Sequence, residues 1–265
     1  MRRAAMAGLA AGALLLLACS VGVEPDDEPR ADGPAERGSS APAGSVNADA
    51  ATTADAIDQL RAGTAFVDQT SFRADVDIAS QISTLSQTDN VERRAVSTVS
   101  VGGRGWEIRM IDEDVYMKTD LDLPGVGHDW MVLDRARVPS AFALSFEPGK
   151  NDPSGSARLI NAIVTARADG PRISGTLDVT RIGSGNGISF RPGPAGEFPD
   201  SVRNQAFHAS LDAEGRLVDF LIPEANGAPS ASLRYSEFGA PFEVVRPDGA
   251  VKAPDALYPQ LGLGG

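Results

Sequence analysis

The feature that most constrains the fold of this 265-residue chain is a repeated alternation of apolar and polar side chains. Between residues 72 and 78, for example, Phe72, Ala74 and Val76 alternate with polar residues. The same period of two returns at 106–110, 173–179, 207–211, 218–222 and 231–235. Strands of a parallel sheet are buried on both faces and read as continuous apolar runs, whereas clean alternation is typical of an antiparallel sheet with one face in water. The sequence therefore predicts an antiparallel sheet.

Turn signals separate several of these segments, as expected for hairpins. Gly102-Gly103, Asp112-Glu113 and the sequence DAEG at 212–215 each lie between or beside two alternating runs. Glycine and acidic residues favour the tight turns that join antiparallel strands. We expect most neighbouring strands to be consecutive in the chain.

Two segments show helical spacing instead. The first would begin at a cap formed by Thr52 or Thr53, and its apolar stripe consists of Ile57, Leu60, Thr64 and Val67. The second is predicted over 154–168, ends at Asp169-Gly170, and its stripe consists of Leu159, Ile160, Ile163 and Val164. A one-sided sheet must cover its apolar face. Seven or more strands with only two clear helices predict an α+β fold, a strongly curved antiparallel sheet (a half-barrel) with the helices on its concave face. Side chains could fill the space between sheet and helices, or leave a cavity there.

The first 18 residues have the pattern of an export signal. Arg2 and Arg3 precede an apolar run over 4–18, which is shorter than the roughly 20 residues that span a bilayer. The run ends as Leu-Leu-Ala followed by Cys19, the single cysteine of the chain. This ending resembles the lipobox of bacterial lipoproteins. The resemblance implies cleavage before Cys19, a diacylglyceryl group on its thiol, and often a further acyl chain such as palmitate on the new amino terminus.

The alternative is an ordinary secretory signal that happens to contain a cysteine. A lone cysteine in an exported protein would then be a free thiol without a disulfide partner. Lipidation gives Cys19 a role, and two or three acyl chains make a stable anchor. The predicted location is therefore the outer face of the cell membrane.

Charge and composition divide the chain further. The full sequence has 24 basic and 36 acidic residues; without the signal, 22 basic residues stand against 36 acidic ones, a net charge of −14. Such a surface argues against binding nucleic acid. Residues 19–50, rich in Pro, Gly and acids, are predicted to form a lipidated N-terminus and a disordered acidic tether. One domain over 51–254 and a flexible C-terminal tail over 255–265 complete the predicted organisation.

Motifs for catalysis are missing from the sequence. His128 and His208 have no metal-ligand spacing to each other, and no G-x-S-x-G nucleophile motif occurs. Gly149-Lys150 lacks the other residues of a phosphate loop, and the glycine-rich run at 183–187 opens no predicted helix. We predict no enzyme activity, no catalytic residue, no cofactor and no metal.

Several motifs together are similar to one family of lipoproteins. They are DAIDQLRAGTAF after the tether, DVYMKT at 114–119, HDWMVLD at 128–134 and YSEFGAPFEVVRP at 235–247. With the lipobox, they resemble the actinobacterial lipoproteins of the LppX and LprG type, which share a fold with the lipoprotein carrier LolA. The resemblance covers roughly 52–247, and the loop at 181–187 with the Pro-rich stretch after it departs from the pattern. It implies a half-barrel whose apolar cavity holds the acyl chains of lipids or glycolipids.

The predicted binding site is the apolar face of the sheet. Its candidate residues are Trp106, Ile108, Met110, Met117, Trp130, Phe142, Phe146, Leu159 and Ile163. Such side chains suit acyl chains and an ordinary core alike. The predicted function is a membrane-anchored lipoprotein that binds a lipid or other hydrophobic small molecule, with envelope lipid transport as one role. The alternative is an envelope interaction or sensory lipoprotein with a filled core, whose polar outer face binds a protein partner of unknown identity.

Overall fold

A computed structural model of the chain describes residues 20–23, 43–123, 125–138, 146–148, 152–183, 185–192, 196–255 and 258, with the backbone alone described for 20–23 and 43–50. Its strands are β1 (Ser20–Val23), β2 (Phe72–Ile78), β3 (Ile82–Asp89), β4 (Arg94–Val101), β5 (Arg104–Ile111), β6 (Asp114–Thr119), β7 (Met131–Leu133), β8 (Ile163–Asp169), β9 (Arg172–Leu177), β10 (Ser189–Pro192), β11 (Gln205–Leu211), β12 (Leu217–Ile222), β13 (Ala231–Ser236) and β14 (Val251–Lys252). Its α-helices are α1 (Ala43–Gly63) and α2 (Ser156–Asn161).

Twelve of the strands form one curved, unclosed sheet. The order across it is β14-β7-β6-β5-β4-β3-β2-β13-β12-β11-β9-β8. Every neighbouring pair is antiparallel except β14 and β7, which are parallel. The predicted α+β fold with a curved, essentially antiparallel sheet is confirmed.

Alternation gives the sheet one apolar and one polar face. On β2, Phe72, Ala74, Val76 and Ile78 are buried, and the residues between them are partly exposed. The predicted hairpin at Gly102-Gly103 joins β4 to β5. Both glycines have positive φ, +56° and +81°, as a tight two-residue hairpin turn requires. The predicted strands are confirmed, and most of their inward-facing residues are buried. Leu211 and Val218 are partly exposed instead, and Val179 is buried but lies in a 3₁₀ turn after β9.

Helix α1 packs on the apolar face, against β8. Ala56 and Leu60 are fully buried there, and Thr53 Oγ1 donates to the carbonyl oxygen of Ala166 at 3.2 Å. The helix begins at Ala43, so Thr53 lies inside it and not at its cap. Alanines before Thr52 favour helix, and propagation adds residues to an already packed helix at little cost. The helix thus includes residues 43–50 of the predicted tether.

The prediction of one helix over 154–168 was wrong. α2 ends at Asn161, and Ile163 begins β8, which pairs with β9 in antiparallel fashion. β-branched residues at 163–165 lose rotamer freedom in a helix and pack well on a sheet. Asp169-Gly170, predicted to end a helix, instead belongs to the turn that joins β8 to β9 in a hairpin.

Described segments near both ends of the chain contact the domain. β1, directly after Cys19, pairs in parallel with β10, where Ser20 is opposite Ser189. Tyr258, inside the predicted flexible tail, is buried. Residues 24–42 lie outside the described part of the chain, and so does Cys19 itself. Within the described part, no helix is long and apolar enough to cross a membrane.

Candidate functional site

The apolar face divides into two clusters. The first surrounds α1 and α2 and includes the inward residues of β2 and β8 to β13. The second, which we name the β4–β7 cluster, consists of Ala95, Val99, Trp106, Ile108, Met110, Val115, Met117, Leu123, Val126, Met131, Leu133, Phe146, Ala253 and Tyr258. Cross-strand register builds the second cluster in rows, because Ile108 is opposite Met117 and Met117 is opposite Met131.

The predicted site residues do not all lie in one cluster. The β4–β7 cluster contains Trp106, Ile108, Met110, Met117 and Phe146, all of them buried. Leu159 and Ile163 belong instead to the cluster around α1. Phe142 lies outside the described residues.

Trp130 is not on the apolar face. Its ring lies 4.4 Å from the guanidinium carbon of Arg109, which points to the polar side of β5 and also binds Glu107. Lys118, on the polar side of β6, lies 6.0 Å from the same ring. Cation–π attraction to these two side chains stabilises the Trp130 ring on the polar side of the sheet. Trp130 is therefore separated from the five candidates that belong to the β4–β7 cluster.

Trp106 contains an unusual polar atom. Its side chain is only 6% exposed, and its Nε1 has no hydrogen-bond partner. The indole N–H is the sole polar group of tryptophan and can only donate. A buried donor without an acceptor costs about 1–3 kcal/mol. Among the described side chains only Arg94 Nε shares this state, and the Nη2 of Arg94 binds Asp89.

The sequence did not identify Tyr258 as part of the cluster. The Tyr258 hydroxyl accepts a hydrogen bond of 2.6 Å from the backbone N of Asp134, and the guanidinium of Arg137 stacks 3.7 Å from its ring centre. Before it, β14 adds to β7, since Val251 N donates to the carbonyl oxygen of Trp130 at 2.8 Å. The chain after β13 therefore returns to cover one end of the β4–β7 cluster.

A buried polar network lies at the start of α2. Asp152 accepts hydrogen bonds from the backbone nitrogens of Ser154, Gly155 and Ala157, and Ser154 Oγ bonds to both Asp152 and the hydroxyl of Tyr235. Burial raises the pKa of the Tyr235 hydroxyl well above its usual 10, and the charge of Asp152 adds to this rise. No histidine takes part in these bonds. The network caps a helix and joins it to β13.

We expect Tyr235→Phe to change the alkaline stability of the protein. A folded-state pKa above the unfolded one contributes stability that is complete below about pH 10 and is lost as pH rises further. The variant should therefore lose about 1 kcal/mol at pH 7, for the hydrogen bond, and show a flatter decline above pH 10. Urea unfolding at pH 7, 10 and 11 measures both. An unchanged alkaline decline would contradict the assigned burial effect.

Arg158 holds the glycine-rich loop at 181–187 against α2. It donates to the carbonyl oxygens of Ile182 at 3.2 Å and Asn186, and burial lowers its pKa. Gly187 has a φ of +73°, and a Cβ there would lie 1.8 Å from the Ser154 carbonyl oxygen. β10 follows the loop, so the loop opens no helix, as the sequence predicted.

The two histidines lie apart and exposed, His208 on the polar face of β11 and His128 in the loop before β7. In the part of the chain that the structure describes, no group of three or more His, Cys, Asp or Glu side chains could hold a metal ion.

Comparison with known proteins gives distant structural similarities. No family model matches the sequence, and no curated protein matches it. The Mycobacterium tuberculosis lipoprotein LppX is similar at 15% identity and a TM-score of 0.40, over 77% of this chain and 100% of that one. A DUF1329 family protein from Desulfovibrio piger is similar at 12% identity and a TM-score of 0.20, over 78% and 97%.

Proposed function

We propose that this protein is an exported lipoprotein, anchored to the outer face of the cell membrane by acyl chains on Cys19, which binds a lipid or other hydrophobic molecule within the β4–β7 cluster. The composition of that cluster is the observation that carries the proposal. The chain has five methionines, two of them in the predicted signal, and the other three are Met110, Met117 and Met131. Flexible, polarisable thioether side chains adapt to ligands of irregular shape.

Trp106 supports the same site. An apolar cluster that only fills a core has no use for an unpaired N–H, because the donor costs free energy without an acceptor. A ligand that combines an acyl chain with an ester or carboxyl oxygen would supply that acceptor. The Nε1 of Trp106 would then position the polar end of the ligand.

Apolar burial would supply most of the affinity. Each buried methylene contributes about 0.8 kcal/mol, so ten buried methylenes of an acyl chain contribute about 8 kcal/mol, which corresponds to micromolar binding. A tethered domain close to the bilayer would meet its ligand at high local concentration. Binding at this strength is reversible, as a carrier between membranes requires.

Organic extraction tests the proposal directly. The full mature chain with Cys19→Ser, exported behind a cleavable secretory signal that requires no cysteine, carries no covalent lipid. It is extracted with chloroform and methanol, and the extract is analysed by mass spectrometry. We expect stoichiometric lipid or another hydrophobic molecule. The matched control is Ala95→Phe, which adds a large ring beside Met110 in the cluster and should reduce the extracted amount severalfold. Protein that is folded, free of ligand and fully packed would favour the filled-core alternative.

Single-tryptophan variants locate the ligand. Trp130→Phe leaves Trp106 as the sole tryptophan, and Trp106→Phe leaves Trp130. Titration with a long-chain fatty acid methyl ester should change the emission of the first variant and leave that of the second unchanged. The alkane of equal length should bind the first variant up to about tenfold more weakly, the worth of one hydrogen bond. Equal responses from both variants would contradict the assigned site.

A further inference from the structure

A concavity of about 660 Å³ lies on the polar face of the sheet, opposite the apolar cluster that surrounds α1 and α2. Six neighbouring strands line it, in the order β4, β3, β2, β13, β12 and β11. Neighbouring strands lie about 4.8 Å apart, so the groove runs about 24 Å across the sheet. We name it the outer groove.

Cross-strand register arranges the outer groove as two rows of side chains. The first row is Ser210, Asp219, Arg234, Asp75, Leu85 and Thr98. The second row is His208, Leu221, Ser232, Asp77, Ser83 and Ser100. Each residue in a row is directly opposite the next one on the neighbouring strand.

Small side chains explain why the surface is hollow. In the second row, Asp77 has Ser232 on one side and Ser83 on the other, with Ser100 beyond. Serine side chains are short, so the larger side chains beside them extend further from the sheet and form the sides of the groove. Leu85 and Leu221 are two such neighbours, and they are 39% and 42% exposed.

Charge within the outer groove is unbalanced. Two of its carboxylates are paired, Asp75 with Arg73 at 3.0 Å and Asp219 with Arg234 at 3.0 Å. Asp77 forms no ion pair within the described part of the chain, and its Oδ1 accepts only the backbone N of Ser80, at 3.0 Å. The groove therefore presents an uncompensated carboxylate, that of Asp77, on a strand between those of the exposed Leu85 and Leu221.

We propose that the outer groove binds an extended segment of a partner protein, with a lysine or arginine at Asp77 and apolar side chains against Leu85 and Leu221. A cation satisfies Asp77, and apolar side chains two residues to either side point to the same face of an extended segment. About seven extended residues span 24 Å, the distance over which the groove crosses the sheet. This site lies on the opposite face from the proposed lipid site and stands independently of it.

Fluorescence anisotropy with a labelled heptapeptide tests the proposal. The peptide carries a central lysine with one leucine two positions away on each side, and the protein is the full mature chain with Cys19→Ser. We expect saturable binding that weakens with added salt. Asp77→Asn should weaken it about fivefold, because an exposed ion pair contributes up to that much. The asparagine oxygen can still accept from Ser80, so the turn is preserved.

Two controls and one blocking variant sharpen the test. Asp169→Asn removes an exposed carboxylate at the end of β8, outside the groove, and should leave affinity unchanged. Ser100→Lys places a cation in the second row and should reduce binding at least as much as Asp77→Asn. Thermal unfolding verifies that all variants are folded.

Three results would overturn the proposal. They are equal affinity for the parent and Asp77→Asn, equal affinity for a peptide whose lysine is acetylated, and equal affinity for N-acetyl-lysine amide alone. The last result would reassign the groove to a small organic cation.

Discussion

Replacement of Cys19 by alanine should abolish acylation of the protein and, with it, the proposed lipid anchor. In the proposed lipoprotein, Cys19 is the only position that can carry a thioether lipid, because the chain has no second cysteine. Without acyl chains, the strongly acidic mature chain has no electrostatic affinity for an anionic bilayer. We therefore expect complete loss of metabolic labelling with radioactive palmitate, and loss of the form that is cleaved before residue 19.

Membrane fractionation after an alkaline carbonate wash measures the same change. The parent protein should sediment with the membrane. Cys19→Ala should either stay in its uncleaved form or appear in the soluble fraction, and neither form should carry label. Ser39→Ala, a substitution of similar size in the same N-terminal segment, should behave like the parent. Label on Cys19→Ala would overturn the anchor at this position.

The sequence predicts the sheet well because its signal is local. Whether Phe72 faces inward depends on the polar residues beside it, and the period of two holds along β2, β5 and β13. It is interrupted where β11 and β12 meet, because the register shifts at Ser210 and Leu211. Hairpin turns are equally local, since glycines at 102 and 103 specify the turn wherever the strands are placed. The order of strands in the sheet then follows largely from the chain, because most neighbouring strands are consecutive in the sequence.

Three features could not be predicted, because distant residues decide them. Ile163 has helical spacing to Leu159, but pairing with β9 places it at the start of a strand. Trp130 follows a loop. Only its contact with Arg109, which lies on the polar side of β5, shows which face of the sheet its ring occupies. Tyr258 lies in a stretch rich in Gly and Pro, where one buried aromatic residue gives no periodic signal.

The outer groove depends on register even more strongly. Asp77, Ser83 and Ser232 are separated by as many as 155 residues, and each alone is an ordinary polar residue on the solvent side of a strand. Their combination is defined only when β13, β2 and β3 pair with a particular offset. A shift of one residue in any strand would exchange the polar row for the buried one.

Tyr258→Ala should be the most destabilising single change near the proposed lipid site. Tyr258 is almost fully buried in the β4–β7 cluster, and its loss leaves a cavity in that cluster. Removal of a buried aromatic ring costs about 3–5 kcal/mol. It also leaves the backbone N of Asp134 without its hydrogen-bond partner. Urea unfolding of the full mature chain with Cys19→Ser should show this loss as a lower midpoint with a similar slope.

Two further variants separate ring packing from the polar contacts. Tyr258→Phe keeps the ring and should cost about 1 kcal/mol, the worth of the hydrogen bond to Asp134. Asp255→Ala removes the exposed ion pair with Arg137 and should cost at most about 1 kcal/mol. If Tyr258→Ala cost no more than Tyr258→Phe, the ring would not be part of the core.

The same variants test whether the C-terminal segment controls release of a bound ligand. If Tyr258 closes one end of the β4–β7 cluster, a bound fatty acid methyl ester should dissociate faster from Tyr258→Ala than from the parent, measured by Trp106 emission after dilution. Tyr258→Phe should release it at nearly the parent rate, because the ring still fills the opening. Equal rates for all three proteins would place the route of release elsewhere on the sheet.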